Sequence, residues 1–179
     1  MHQAQRSPCQ NKPHFLWISE ENSTVNVTNR GYGDNYSGDI VIPEKVVYKE
    51  KTYSVIAIAI DAFRECNNLT SVKIPNSVTA IGSSAFYGCD SLSSISIPNS
   101  VTTIGSSAFM SCKSLSSVTI GNSVTKINLN TFANCSSLTS VTIGNSVTYI
   151  HNSAFSYCSS LTSINISDIT VWCNIDFEG

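Results

Sequence analysis

The sequence predicts a mainly β solenoid, and three observations predict it. Phenylalanine recurs at Phe63, Phe86, Phe109, Phe132 and Phe155, each 23 residues after the last. Cysteine keeps the same step at Cys66, Cys89, Cys112, Cys135 and Cys158. Between them, runs such as Val72-Lys73-Ile74 alternate apolar and polar residues with the period of a strand. No window carries clean helical periodicity, so long helices are excluded.

Five further columns share the phase. Leu69, Leu92, Leu115, Leu138 and Leu161 form one. Val72, Ile95, Val118, Val141 and Ile164 form the next, followed by Ile74, Ile97, Ile120, Ile143 and Ile166. Val78, Val101, Val124 and Val147, then Ile81, Ile104, Ile127 and Ile150, complete the unit. Each coil reads as a strand, a turn at Pro75 or Gly121 with Asn-Ser, a returning segment, and a short turn opened by Ala-Phe. No coil can bury its apolar side alone. Stacking at about 4.8 Å buries a continuous core, and five coils make a block on the order of 25 Å long.

Composition agrees. Charged residues are 12% of the 179-residue chain, against about 25% in an average globular protein. Ser, Thr and Asn number 31, 15 and 17, so small hydroxyl and amide side chains stand where charges would. Residues 67–167 hold four charges, Lys73, Asp90, Lys113 and Lys126, while residues 1–66 hold fifteen. The net charge of -2 gives no basic footprint for nucleic acid or an anionic membrane. No run approaches 18 apolar residues, so no membrane span is expected.

The expected organisation has four parts. Residues 1–37 are an N-terminal segment in which Phe15–Ile18 and Thr24–Thr28 form a hairpin, with Gly31, Gly33 and Gly38 in the loop after it. Residues 38–60 are a β cap leading into the array, with strand-like runs at 39–42, 45–48 and 53–56, two of which pair as a hairpin over the first coil. Residues 61–167 are the repeats. Residues 168–179 leave the pattern and form a partial cap, either short or cut from a longer chain. Its Trp172 and Phe177 are apolar enough to cover the last coil; left open, that end pairs two copies of the chain into a homodimer.

The unit L-x-x-I-x-I-P-x-S-V-x-x-I-G-x-x-A-F-x-x-C resembles the BspA-like, or Treponema-type, bacterial leucine-rich repeat over about residues 36–179. The lead-in from Tyr36 to Val55 is similar to that family's approach to its first repeat. The resemblance implies a leucine-rich-repeat array of about five 23-residue repeats with an N-terminal β cap. It also implies export, a cell-surface or secreted location, and adhesion to a protein ligand such as host extracellular matrix or another cell surface. No signal peptide is visible: residues 1–14 lack an apolar core, and no hydrophobic run precedes Cys9.

Catalytic chemistry finds little support. The repeats hold no paired carboxylates for acid–base hydrolysis. His151 is the one histidine in the array, replacing a repeat glycine, and reads as a solvated turn residue; His2 and His14 lie before it. The run Asp34–Asp39 lacks the alternating ligands of a calcium loop and reads as a turn. Neither a metal nor a cofactor is expected. The cysteine column reads as a ladder of buried free thiols acting as small hydrophobes, ahead of a disulfide or a metal site, because coil spacing exceeds disulfide Cβ separations of about 3.5–4.5 Å. Cys9 and Cys173 lie outside the ladder and are unassigned. Six Asn-x-Ser/Thr sequons, the first at Asn22 and the last at Asn165, matter only under eukaryotic secretion.

Binding is therefore expected on the surface of the array. The outward strand positions make a hydroxyl lawn, with Ser94, Ser96, Ser117, Thr119, Ser140 and Thr142 at its centre. It has no Trp, Tyr or Arg anchor. Its functional reading is a broad, weak, repetitive contact surface; ice binding fits its irregular, Ser-rich columns poorly. Residues that differ between copies point to specificity: Tyr87, Met110 and Tyr157 in one neighbourhood after the Phe, and Tyr149, beside Lys126 in its column. The leading function is a non-enzymatic binding or adhesion module, with a structural spacer or stalk as the alternative.

Overall fold

The computed structural model describes residues 16–28 and 36–177. Phe15, Gly31, Gly33, Cys9, His2, His14 and the calcium-loop reading at Asp34 lie outside the described residues. Among the described residues, fourteen short strands and one helical turn follow each other. They are β1 (Leu16–Ser19), β2 (Thr24–Val27), β3 (Gly38–Val41), β4 (Lys45–Tyr48) and β5 (Lys51–Ile58). The repeats supply β6 (Leu69–Lys73), β7 (Ala80–Ile81), β8 (Ser94–Ile97), β9 (Thr103–Ile104) and β10 (Ser117–Ile120). Then come β11 (Lys126–Ile127), β12 (Ser140–Ile143), β13 (Tyr149–Ile150), β14 (Ser163–Ile166) and the single helical turn α1 (Ile169–Trp172).

Each coil has three limbs. The strand limb stacks β8, β10, β12 and β14 in parallel, with Ile95, Val118, Val141 and Ile164 in exact register. The short-strand limb carries β7, β9, β11 and β13. The third is a turn limb running from the Ala-Phe pair to the Cys. The repeat columns enclose the core: Phe63, Phe86, Phe109 and Phe132 are fully buried, as are Cys89, Cys112, Cys135, Leu92, Leu115 and Leu138. The five phenylalanine rings stack at centroid distances of 4.9, 5.0, 5.3 and 5.4 Å, nearly parallel throughout. The coil rise is therefore the strand spacing, and an aromatic column forms in the offset range that ring quadrupoles favour.

Alternate amides hold the turn limb. In one coil the N–H groups of Asp61, Phe63 and Glu65 donate to carbonyls of Ser83, Ala85 and Tyr87 in the next. The intervening Ala62, Arg64 and Cys66 donate back within their own turn. This alternation requires left-handed backbone at every 23rd residue, and Asp61, Ser84, Ser107 and Asn130 all have φ between 53° and 57°. A second left-handed column holds Glu65, Gly88, Ser111, Asn134 and Tyr157. On the short-strand limb the polarity reverses: Gly82 and Gly105 N–H donate to Ile58 and Ile81 of the preceding coil.

The N-terminal region differs from expectation in an instructive way. Both hairpins form, β1 with β2 and β4 with β5. The second does not lie across the first coil; β5 instead belongs to the short-strand limb, pairing in parallel with β7 through Ala57–Ala80 and Ile58–Ile81. β3 pairs in parallel with β6 on the strand-limb side. Tyr36 is buried with its ring 4.5 Å from Phe63, in the aromatic column. Residues 36–58 thus make an extra, irregular coil, lengthened by the β4–β5 hairpin. The strand that stands over it is β2, paired in parallel with β5.

At the other end, the helical turn starts on an Asp168 carboxylate that accepts from the Thr170 amide and hydroxyl. The chain then returns over the short-strand limb. Asp176 N–H donates to Thr148 C=O, and Ile150 N–H donates to Asp176 C=O, each at 2.9 Å. Ile175 is buried and Trp172 is half-buried against the core. Phe177 does not cover the last coil: it is 55% exposed and meets the Trp172 ring edge-on.

Candidate functional site

The strand limb places its outward residues as the alternation requires. Ser94, Ser96, Thr119 and Thr142 are exposed, and Ser117 and Ser140 are half-buried. Their columns run across the sheet in register, Ser94–Ser117–Ser140 and Ser96–Thr119–Thr142. The hydroxyls of these six make no hydrogen bond among the described residues, so they are available to a ligand. The same is not true of the whole lawn. The hydroxyls of Ser93, Ser116, Thr139 and Thr162 each donate to the backbone carbonyl one coil back, at 3.0–3.5 Å. Thr70 and Ser71 both donate to the Asp39 carboxylate, and these bonds, Ser71 first, hold its carboxyl below the ordinary value. A hydroxyl column that bonds its own backbone stiffens the sheet and has nothing left to donate.

Beside the free columns runs an open groove lined by Ser96, Thr119, Thr142, Asn99 and Asn122, with Gly121 and Gly144 in its wall. Asparagines form its outer rung: Asn99 and Asn122 side-chain oxygens accept the amides of Asn122 and Asn145. The glycines are needed for close approach. A Cβ on Gly144 would sit 2.4 Å from the Gly121 carbonyl oxygen, and one on Gly121 would sit 2.5 Å from that of Pro98.

The variable residues fall in three separate places. Tyr87 and Met110 share one column of the turn limb, both half-buried, and the Arg64 guanidinium lies 4.2 Å from the Tyr87 ring centroid. Tyr157 does not join them; it lies one column further on, 80% exposed, with φ of +61°. Tyr149 is on the short-strand limb, with Lys126 5.7 Å above its ring and His151 edge-on to it. The structure therefore assembles the six hydroxyl residues into one surface and leaves the four variable residues apart from it.

The cysteine ladder is a column of free thiols, but not one of simple apolar fillers. Cys89, Cys112, Cys135 and Cys158 each donate S–H to the Phe carbonyl 26 residues earlier, at 3.1–3.2 Å. The neighbouring thiol and then burial push Cys112 and Cys135 well above the usual thiol value. Sequence periodicity locates these side chains but says nothing of which carbonyl each one meets. Among the described residues no three His, Cys, Asp or Glu side chains gather to hold a metal ion. No helix among them is long and apolar enough to cross a membrane.

A model of the BspA-type leucine-rich repeat region matches residues 56–178 in six copies. A T. pallidum leucine-rich-repeat protein of known structure superposes with a TM-score of 0.71 at 22% identity, covering 95% of this chain and 86% of that one. A leucine-rich-repeat protein from Eubacterium ventriosum gives 0.70 at 23%, over 85% of this chain and 40% of that. The pneumococcal vaccine antigen PcpA gives 0.58 at 22%, over 86% and 47%. This chain thus spans less than half of each of the last two. No curated protein sequence matches it. Leucine-rich-repeat regions are in general protein-interaction modules, typically without enzymatic activity. With its 23-residue columns, ladder hydrogen bonds and six matched repeats, this chain belongs to the BspA-type leucine-rich-repeat family.

Proposed function

We propose that this chain is a non-enzymatic binding or adhesion module, displayed on a bacterial surface or secreted, that recognises a protein ligand through the strand limb. The observation that carries this reading is the pair of unengaged hydroxyl columns, Ser94–Ser117–Ser140 and Ser96–Thr119–Thr142, on a rigid parallel sheet. Six hydroxyls at coil spacing offer donors and acceptors to an extended partner without charge. Individual contacts of that kind are weak, and binding strengthens as they are made together. Tyr87, Met110, Tyr149 and Tyr157 are secondary contacts on other limbs. Extracellular-matrix proteins and other cell surfaces are the ligand classes that the family likeness favours.

The chain is immobilised and tested against a panel of matrix proteins. Saturable binding that Ser96→Lys and Thr119→Lys weaken together supports the reading. Binding that ignores both substitutions moves the contact to another limb. One observation favours a second reading, a spacer or stalk: the strand face carries no aromatic or guanidinium anchor. Absence of binding across the panel would leave that spacer reading. Hydrolase activity that resisted purification would overturn both.

A further inference from the structure

One strand in the interior of the chain keeps an open edge. β4 pairs with β5 alone, and Val55 N–H donates to Glu44 C=O at 2.8 Å just beyond that pairing. Alternation in an antiparallel pair then turns the amides and carbonyls of Lys45 and Val47 away from β5. Among the described residues, neither backbone has a hydrogen-bond partner on that side. Lys49 and Glu50 close the hairpin with φ of 48° and 62°, as a tight two-residue turn requires. Val46 and Tyr48 pack half-buried against the core on one face of the strand. On the other face Lys45 is exposed and Val47 is 73% exposed.

The fold holds this edge clear of the coils. β2 takes one side of β5 through Ser54 and Val55, so β4 and β7 share the other side. Ala57 pairs with Ala80, which sets residues 51–54 level with residues 74–77, where the next coil turns its corner. β5 runs straight where that coil turns, and the hairpin projects from the corner. The β4 edge therefore faces along the solenoid axis, on the side of the Asn76 and Asn99 corners where the polar groove begins.

We propose that the β4 edge takes an extended segment of a protein ligand as an added antiparallel strand, with an acidic side chain opposite Lys45 and an apolar one opposite Val47. The two edge residues supply two donors and two acceptors, the backbone recognition that strand addition uses. Side chains select the segment. Lys45 makes no ion pair among the described residues. Glu44 and Glu50 flank the strand, and the residue opposite Lys45 on β5 is Ser54. An opposite charge across a strand pair is favourable and a like charge is not, so Lys45 admits an acidic strand and rejects a basic one. A second copy of the chain fits worse. Every register that bonds two β4 edges sets Lys45 opposite another Lys45, a Val47 or a Lys49, never a carboxylate. The proposal rests on the reading that the ligand is a protein, and not on the strand-limb hydroxyls.

The intact, isotope-labelled chain is titrated with the capped peptide Thr-Thr-Val-Thr-Glu-Thr-Thr and with its counterpart carrying Lys in place of Glu. NMR follows amide shifts and hydrogen exchange. The acidic peptide should shift and protect the Lys45 and Val47 amides and leave the Thr119 amide of the strand limb unchanged. The basic peptide should bind about twofold to fivefold more weakly, and Lys45→Glu should reverse that preference. Val47→Pro removes an outward N–H at an edge, where proline is tolerated, and should lose the peptide with an unchanged circular dichroism spectrum. Lys45→Glu carries the test if Val47→Pro fails to fold. Ser96→Lys and Thr119→Lys should leave peptide binding intact, so failure of the strand-limb reading and failure of this one are told apart. Silence at both edge amides, shifts confined to the strand limb, or equal affinity for the two peptides would overturn the proposal. So would protection of both amides that rises with protein concentration in the absence of peptide, which means that a second copy fills the edge.

Discussion

The thiol of Cys112 donates to the backbone carbonyl of Phe86, one coil back, at 3.1 Å. That carbonyl also accepts the Cys89 amide from within its own turn, at 3.3 Å. One oxygen therefore closes the turn of one coil and fastens the next coil to it. Alanine would keep the first bond and lose the second, and would leave a small void.

Cys112→Ala should destabilise the chain by about 1–2 kcal/mol. Cys112→Ser, which keeps a donor, should cost less than Cys112→Val, which fills space but cannot donate. Urea denaturation under reducing conditions measures the order. Equal tolerance of Ser and Val would reduce the ladder to space filling. Native-state alkylation should reach exposed Cys173 and half-buried Cys158 first, and denaturant without reductant should release all six described thiols.

Buried thiols also set an alkaline limit. Cys112 and Cys135 are pushed above the usual 9.0 by their neighbouring thiols and by burial. A thiol whose folded value is raised contributes stability that is fully present below its unfolded value. The contribution is lost as pH rises beyond that value, because only the unfolded chain ionises there. Stability should hold level from neutral pH to about 8.5 and fall above it, and Cys112→Ala should show a shallower fall. Denaturation midpoints across that range check this.

Gly144 packs on backbone, not on a movable side chain. Gly144→Ala places a Cβ 2.4 Å from the Gly121 oxygen and should destabilise by about 1–3 kcal/mol through forced separation of the two coils. Thermal unfolding reads it. An unchanged melting temperature would mean that neighbouring coils slide apart freely at this turn.

Tyr157 holds left-handed backbone, which a side chain disfavours and glycine does not. Gly88 occupies the same column. Tyr157→Gly should therefore raise stability by about 1 kcal/mol, measured by urea denaturation. A loss would show that the exposed ring makes a compensating contact.

Much of this architecture was legible in the residues because a repeat constrains itself. Once Phe, Cys, Leu and Ile recur at one period, every copy must bury the same columns, and Phe86, Phe109 and Phe132 follow without reference to tertiary structure. The irregular parts were not legible for the same reason. Tyr36 stands 27 residues before Phe63 rather than 23, because the β4–β5 hairpin lengthens the coil, so the period hides it. Asn128 breaks the glycine column, yet its side-chain amide donates to the Ile104 carbonyl at 2.7 Å and takes the role of the backbone N–H of Gly82 and Gly105.

The candidate surface divides along the same line. Alternation alone placed Ser94, Ser96, Ser117, Thr119, Ser140 and Thr142 outward. Only the structure separated them from Ser93, Ser116, Thr139 and Thr162, whose hydroxyls are consumed by carbonyls of the preceding coil. Position along a strand determines which face a side chain takes, because successive residues alternate. It does not determine whether a backbone acceptor lies within reach, because that acceptor belongs to another coil. By itself, then, the sequence determined the coil, its buried columns and its outward faces. The tertiary structure decided the hydrogen-bond partners, the irregular coil at residues 36–58, and a tail that covers one limb and leaves another open, because each depends on which coil stacks against which.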